Sequence, residues 1–158
     1  MKRIGSLLTM SFATVLVVLG AHAISAQQKQ DKYTVKVPNG LAFSVKEDIL
    51  YVADSGKPRH IRAFNVRPDG TLDAGRVFAT IDQGGPDGIR VDALGNVWSS
   101  SGDGAQVFSP AGVRIARVRL PESGANVGFG GADGRTLFIT ARTSLYAIDT
   151  LVRGAPRP

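Results

Sequence analysis

A short pattern of two strands and a turn occurs three times in this chain, and this repeat limits the fold more than any other feature. The second strand of each copy carries an aromatic residue, at Tyr51, Trp98 and Phe138, and these lie 47 and 40 residues apart. The segments between them are also short runs of β-branched and aromatic residues, broken by Gly, Asp and Pro turns, without a helical period. A repeat of about 40 to 50 residues with four antiparallel strands is typical of a β-propeller blade.

The sequence therefore predicts an all-β fold, a partial β-propeller of about three four-stranded blades. The predicted strands of the first repeat are 41–44, 49–54, 60–66 and 76–79, those of the second are 89–92, 96–100, 105–108 and 114–120, and those of the third are 127–130, 136–140 and 144–148. Propellers close with about four to eight blades, so three blades correspond to half of a ring. An ordinary β-sandwich with chance similarity among its segments is the alternative.

The first 26 residues have the order of a secretory signal peptide. Lys2 and Arg3 precede an apolar run over residues 7–20, and small residues that suit cleavage after Ala23 or Ala26 follow this run. The alternative is a retained membrane anchor, which is disfavoured because the apolar run is shorter than the ~20 residues of a spanning helix. We expect an exported protein, periplasmic or secreted, that meets a membrane only through an uncleaved signal peptide.

Cleavage after Ala26 divides the rest of the chain into three parts. Residues 27–36 form a polar leader, 37–155 form the half propeller and 156–158 form a tail. The formal net charge of +6 falls to +4 when two basic residues leave with the signal peptide. The remaining arginines are scattered and are not interleaved with aromatic residues, a pattern that indicates solvated strand faces rather than a nucleic-acid site.

Cysteine and histidine are too scarce for several kinds of site. The chain has no cysteine, which excludes disulfides, zinc–thiolate sites and iron–sulfur clusters. It has two histidines, His22 and His60, and the first lies in the predicted signal peptide. A metal site with two histidines is therefore excluded in the mature chain, and a Ser-His-Asp triad could use only His60.

Two repeats place a similar tripeptide directly before their first strand. These are Pro-Asn-Gly at residues 38–40 and Pro-Asp-Gly at residues 86–88. The third repeat has Ala125 at the middle position of the tripeptide, followed by Asn126. Such tripeptides are common turn formers, because Pro fixes φ and Gly adopts conformations closed to other residues, so turn chemistry alone is one interpretation.

The other interpretation is a metal site with oxygen ligands. The position before the first strand faces the central channel of a propeller, so the Asn39 and Asp87 side chains would converge there. Amide and carboxylate oxygens suit a hard cation such as Ca²⁺, with water in the remaining positions. Near a cation that polarises a carbonyl, Asp87 could also activate water as a general base.

Seven short motifs follow one another in order between residues 37 and 155. They are Pro38-Asn-Gly-Leu-Ala-Phe-Ser44, Leu50-Tyr-Val-Ala-Asp54, Gly75-Arg-Val-Phe78, Pro86-Asp-Gly-Ile-Arg-Val-Asp92, Gly95-Asn-Val-Trp98, Asp133-Gly-Arg-Thr-Leu137 and Thr140-Ala-Arg-Thr143. Together they resemble the C-terminal half of the gluconolactonase/regucalcin-like family, which includes luciferin-regenerating enzymes. The first three blades of that family, which supply an early Glu ligand and a further Asn near the substrate, have no counterpart in this sequence.

The resemblance implies a six-bladed propeller with one divalent metal ion in its channel, which hydrolyses sugar lactones to aldonic acids. In the family pattern the Asn and Asp of the two tripeptides are metal ligands, which carries onto Asn39 and Asp87. Asp87 is also the implied acid/base residue, and Asn126 is a candidate for binding substrate. Calcium is the expected ion, with zinc and manganese as alternatives.

Two functions remain open from the sequence. The first is an exported, metal-dependent hydrolase of small-molecule lactones, a shortened member of the family. A homodimer of two half rings would place Asn39, Asp87 and their copies around one axis. The second is a half propeller without enzymatic activity, either a gene fragment or a binding module that associates through its exposed blade edges.

Overall fold

Eleven β-strands and no helix make up the part of the chain that the structure, a computed structural model, describes, which is residues 33–156. The predicted signal peptide and most of the predicted leader lie outside these residues, as do the last two residues of the predicted tail. In the described residues no helix is long and apolar enough to cross a membrane. The all-β prediction is confirmed.

The strands form three antiparallel sheets in chain order. The first sheet contains β1 (Pro38–Phe43), β2 (Ile49–Asp54), β3 (His60–Asn65) and β4 (Arg76–Thr80). The middle sheet contains β5 (Ile89–Val91), β6 (Val97–Ser101), β7 (Gly104–Phe108) and β8 (Arg114–Arg119). The third sheet contains β9 (Gly124–Gly130), β10 (Thr136–Ala141) and β11 (Leu145–Asp149). In each sheet, strands that follow one another in the chain are neighbours, which is the up-and-down order of a propeller blade.

The third sheet has three strands within residues 33–156, which agrees with the three strands predicted for the third repeat but differs from the general expectation of four strands per blade. After β11 the chain returns to the middle sheet instead of adding a strand. Gly154 forms an isolated bridge with Asp92, and the N–H of Ala155 donates to the carbonyl of Val91 at 2.9 Å. The backbone groups of this segment are thus paired with β5 and the turn after it. This pairing joins residues far apart in the sequence, so a local sequence pattern does not predict it.

Two apolar layers hold the three sheets together. Val97 and Trp98 are adjacent on β6, and because successive side chains of a strand point to opposite faces, they enter different layers. The layer between the first and middle sheets includes Tyr51, Ala53, Ile61, Ala63, Ile89, Val91, Val97 and Phe108. The layer between the middle and third sheets includes Trp98, Ala105, Val107, Val127, Leu137 and Ile139. The middle sheet is therefore buried on both faces.

The first strands of the three sheets, β1, β5 and β9, lie side by side and are joined in the same way at each step. The N–H of Gly40 donates to the carbonyl of Asp87, and the N–H of Gly88 donates to the carbonyl of Ala125, both at 2.9 Å. A Cβ at Gly40 would lie 2.2 Å from the Asp87 carbonyl oxygen, and one at Gly88 would lie 2.6 Å from the Asn126 Cα. Glycine is needed at both positions because the neighbouring strand approaches so closely.

Candidate functional site

The two predicted ligand residues line one open cleft of about 360 Å³. Asn39 is the second residue of β1, and Asp87 lies two residues before β5. Ser55, directly after β2, and Arg59, directly before β3, line the same cleft. Ser123, which precedes β9, completes the polar side chains, so all three sheets contribute to the cleft through the ends of their strands.

The Asn39 side chain is oriented by a short chain of hydrogen bonds. Its Nδ2 donates to the Ser55 Oγ at 3.3 Å, and that hydroxyl donates to the carbonyl of Pro86 at 2.6 Å. Because the amide nitrogen is engaged, the Asn39 Oδ1 is the oxygen that remains for a ligand, and no described residue donates a hydrogen bond to it. A hydrogen bond behind a ligand group fixes its orientation in the way that partners of metal ligands do.

The backbone around Asp87 is held from both sides, while its carboxylate is not engaged. The Gly88 N–H donates to the Ala125 carbonyl and lies 3.0 Å from the buried Ser100 Oγ, and the Ser100 N–H donates to the Gly88 carbonyl at 2.9 Å. The Ser100 hydroxyl itself donates to the Ala125 carbonyl at 2.9 Å. Among the described residues, none donates a hydrogen bond to the Asp87 carboxylate or forms an ion pair with it. This carboxylate is available to a cation, a water molecule or a substrate.

Asn126, the third predicted site residue, is not among the residues that line the cleft. It lies on β9, where its Oδ1 accepts the N–H of the next residue, Val127, at 2.8 Å. Its side chain packs against Gly88. Its role as a substrate-binding residue stays a prediction, and in this structure it contacts the tripeptide that carries Asp87.

Among residues 33–156 no Ser-His-Asp triad forms around His60, whose two ring nitrogens are buried and form no hydrogen bond. The His60 Nε2 lies 3.3 Å from the Asp54 Oδ2, but the nearby Ser55 hydroxyl donates to the Pro86 carbonyl. Burial by itself raises the pKa of Asp54. The opposing effects are larger and hold this pKa below its usual range; they are hydrogen bonds from the N–H groups of Val37, Lys36 and Gly56 and the charge of His60. Asp54 therefore acts as a structural carboxylate that fixes the segment beside the cleft.

Within residues 33–156, no three His, Cys, Asp or Glu side chains come together as a metal site. The described residues thus place four oxygen-bearing side chains in the cleft. These are the amide of Asn39, the carboxylate of Asp87 and the hydroxyls of Ser55 and Ser123. Sequence reasoning missed Ser55 and Arg59, which lie directly after β2 and directly before β3 and belong to no motif. The irregular antiparallel register of β1 and β2 brings Ser55 to Asn39, and the loop that carries Arg59 closes only in the folded chain.

Comparison with known proteins supports the sequence resemblance. The sequence model described as "SMP-30/Gluconolactonase/LRE-like region" matches residues 11–143. A 6-deoxy-6-sulfogluconolactonase from Pseudomonas putida is 39% identical over 114 residues, which are 68% of this chain and 38% of that protein.

Solved structures give the same result. A gluconolactonase from Xanthomonas campestris matches with a TM-score of 0.71 and 39% identity, over 76% of this chain and 40% of that one. A luciferin-regenerating enzyme matches with a TM-score of 0.69 and 25% identity, over 76% of this chain and 47% of that one. The chain spans less than half the length of each of these relatives.

Proposed function

Because the chain belongs to the SMP-30/gluconolactonase/LRE-like family, as its motifs predicted, we propose that it hydrolyses sugar lactones with the help of a divalent cation. The relatives named above include a 6-deoxy-6-sulfogluconolactonase and a gluconolactonase. One observation carries the proposal to this chain. Asn39 and Asp87 line the same cleft, and each has a side-chain oxygen that accepts no hydrogen bond from a described residue.

The donor set of the cleft fits a hard cation. The Asn39 amide oxygen and the Asp87 carboxylate are the ligand types that Ca²⁺ prefers, and the open cleft leaves room for water in the other positions. Manganese and zinc also accept such oxygens. When bound, the cation would polarise the lactone carbonyl and stabilise negative charge on its oxygen.

The residues of this chain would act on water and on the ring ester. Asp87 would accept a proton from the attacking water as general base, as the water oxygen bonds to the carbonyl carbon. The bond between that carbon and the ring oxygen then breaks, and Asp87 returns the proton to the ring oxygen to give the open hydroxy acid. Ser55 contributes by holding Asn39 in its orientation.

We extend the proposal to the location and assembly of the protein. The signal-like N-terminus supports export to the periplasm or the medium, and the three sheets would be half of a six-bladed ring. Apolar side chains are exposed on the first and third sheets, with Leu41 at 57% and Leu145 at 66%. Such surfaces favour association, so the ring would be completed by a second copy of the chain.

The decisive experiment measures lactone hydrolysis by the purified chain after chelation and after addition of Ca²⁺, Mn²⁺ or Zn²⁺. We expect activity that depends on the added cation and that Asp87→Ala lowers by about 10²- to 10⁴-fold, the contribution of a general base. Asp133→Ala, in the exposed turn between β9 and β10, is the matched control and should retain full activity.

Activity that survives Asp87→Ala or exhaustive chelation would contradict the proposal. Repeating the assay over a range of protein concentrations tests ring completion, because a dimeric site gives a specific activity that rises with concentration. A constant specific activity would argue against the second copy. A stable complex without any turnover would instead support the binding-module function.

A further inference from the structure

Arg59 is the one positively charged residue among those that line the cleft, counted over the described part of the chain. It is exposed, and its guanidinium has no hydrogen-bond or ion-pair partner among residues 33–156. Two other cleft side chains, the Asn39 amide and the Ser55 hydroxyl, form hydrogen bonds within the protein. The Arg59 side chain therefore has no described structural contact that accounts for its charge.

The backbone of Arg59 is held in a conformation that arginine seldom adopts. Its φ is 63°, in the left-handed region that favours glycine. Its N–H donates to the Gly56 carbonyl at 2.5 Å, and its own carbonyl accepts the N–H of Ile81 at 3.0 Å. Glycine would adopt this conformation at lower cost, so the backbone geometry does not explain the arginine. An unfavourable conformation kept beside a cleft points to a function of the side chain.

The two charges of the cleft are separate. Asp87 carries the negative charge and Arg59 the positive one, and they form no ion pair with each other. A ligand can therefore meet both at once, with its reacting ester at Asp87 and an anionic group at Arg59. A planar guanidinium binds carboxylate, sulfonate and phosphate groups through two parallel hydrogen bonds.

We propose that Arg59 is a specificity-determining residue that selects lactones carrying an anionic group at C6, the end of the molecule away from the lactone carbonyl. This inference rests on the proposed lactonase function. The shared chemistry is a carboxylate, sulfonate or phosphate substituent, and neutral sugar lactones lack it.

The test compares the full-length protein and its variants on one neutral and two anionic lactones, gluconolactone, glucarolactone and 6-phosphogluconolactone, with the uncatalysed rate subtracted. In Arg59→Gln we expect the ratio of kcat/KM for the anionic to the neutral lactones to fall about 10- to 100-fold, through KM, since a hydrogen bond between charged groups is lost. Arg59→Lys should restore part of the ratio, because it retains the charge but not the paired hydrogen bonds. The two anionic substrates distinguish a carboxylate preference from a phosphate preference.

Two further variants serve as controls. Arg59→Gly removes the guanidinium and suits the positive φ, so it should lose the same preference while its thermal unfolding shows that the fold is intact. Arg135→Gln removes an exposed arginine from the turn between β9 and β10, outside the cleft, and should leave the ratio unchanged.

A ratio that stays the same in both Arg59→Gln and Arg59→Gly would overturn the inference. So would an equal loss of kcat for neutral and anionic lactones, which would indicate that Arg59 acts at the reacting carbonyl. If the wild-type protein hydrolyses none of the lactones, the proposed function fails separately. Calorimetric binding of gluconate and 6-phosphogluconate then tests Arg59 directly, because the inference requires tighter binding of the phosphorylated acid and loss of that difference in Arg59→Gln.

Discussion

The middle and third sheets have similar sequence patterns but different environments. Every residue of β6 and β7 in the middle sheet is buried. In β10 of the third sheet the side chains alternate, with Leu137 and Ile139 at 0% exposure and Phe138 at 37%. A blade of this repeat is thus buried on both faces only when it lies between two others, so burial is a property of the neighbours rather than of the blade.

The repeated aromatic residues show the same difference. Tyr51 lies in the layer between the first and middle sheets, and Trp98 lies in the layer between the middle and third sheets, where its ring is 5.4 Å from that of Phe129. Phe138 occupies the corresponding position of the third sheet, where the described residues supply no further sheet. Each aromatic residue therefore lies on the face of its sheet that points toward the following blade. Phe138 is the residue that would contact a further sheet packed against the third one.

The largest expected effect tests the two faces of the third sheet. Leu137→Ala should lower the free energy of unfolding by about 2–5 kcal/mol, because it leaves a cavity in the layer against the middle sheet. Leu145→Ala, on the exposed face of the same sheet, should change it by less than about 0.5 kcal/mol at protein concentrations where the chain is monomeric. Denaturant unfolding followed by the fluorescence of Trp98, the single tryptophan, measures both.

An equal loss of unfolding free energy in the two leucine variants would contradict the difference between the two faces of the third sheet. It would mean that the exposed face is covered in solution, as a second copy of the chain would cover it. Sedimentation of the same samples distinguishes this from a local effect of the substitution.

A smaller effect is expected from a buried carboxylate of the middle sheet. Asp92 is fully buried and accepts hydrogen bonds from the Trp98 Nε1 at 2.9 Å and the Asn96 Nδ2 at 2.8 Å. Asp92→Ala leaves these donors without a partner and should cost about 1–3 kcal/mol in chemical denaturation. Asp133→Ala, in the exposed turn of the third sheet, should cost less than about 0.5 kcal/mol. Equal losses of stability in Asp92→Ala and Asp133→Ala would contradict the difference in burial between the middle and third sheets.

The smallest effect concerns Asp82, which lies between β4 and β5 and binds side chains on the surface of the middle sheet. A hydrogen bond from Arg114 is the main cause that lowers the pKa of Asp82 to about 2. Partial burial opposes this effect, and hydrogen bonds from Arg117 and Gln106 add to it. Because this pKa lies below the unfolded value of about 3.9, the contribution to stability is present above pH ~4 and is lost as the pH falls toward 2. The side chain is 45% exposed, so the contribution should be under about 1 kcal/mol and decrease with salt.

The measurement is the melting temperature between pH 5 and pH 2.5, in low and high salt. Asp82→Asn should flatten the acid side of the profile relative to the wild-type protein. A profile that is identical for both proteins at low salt would show that the ion pairs contribute nothing.

The strands and the main candidates of the site could be predicted because their signals are local. β-branched and aromatic runs between turn residues marked the strands to within a few residues, and the two Pro-Asx-Gly tripeptides marked Asn39 and Asp87. The start of β1 was missed by three residues, since Pro38 pairs with Asp54 across an irregular register. Irregular pairing depends on the partner strand, which a local pattern does not contain.

The sequence by itself determined an all-β chain built on one repeat, and it marked two candidate oxygen ligands, Asn39 and Asp87, at the starts of two blades. Only the tertiary structure decided that Ser55 and Arg59 join these ligands in the cleft while Asn126 does not line it. It also decided that the segment around Gly154 pairs with the middle sheet. The physical reason is that strand and turn preferences act between neighbours in sequence, whereas burial, loop closure and the lining of a cleft depend on which distant segments pack together.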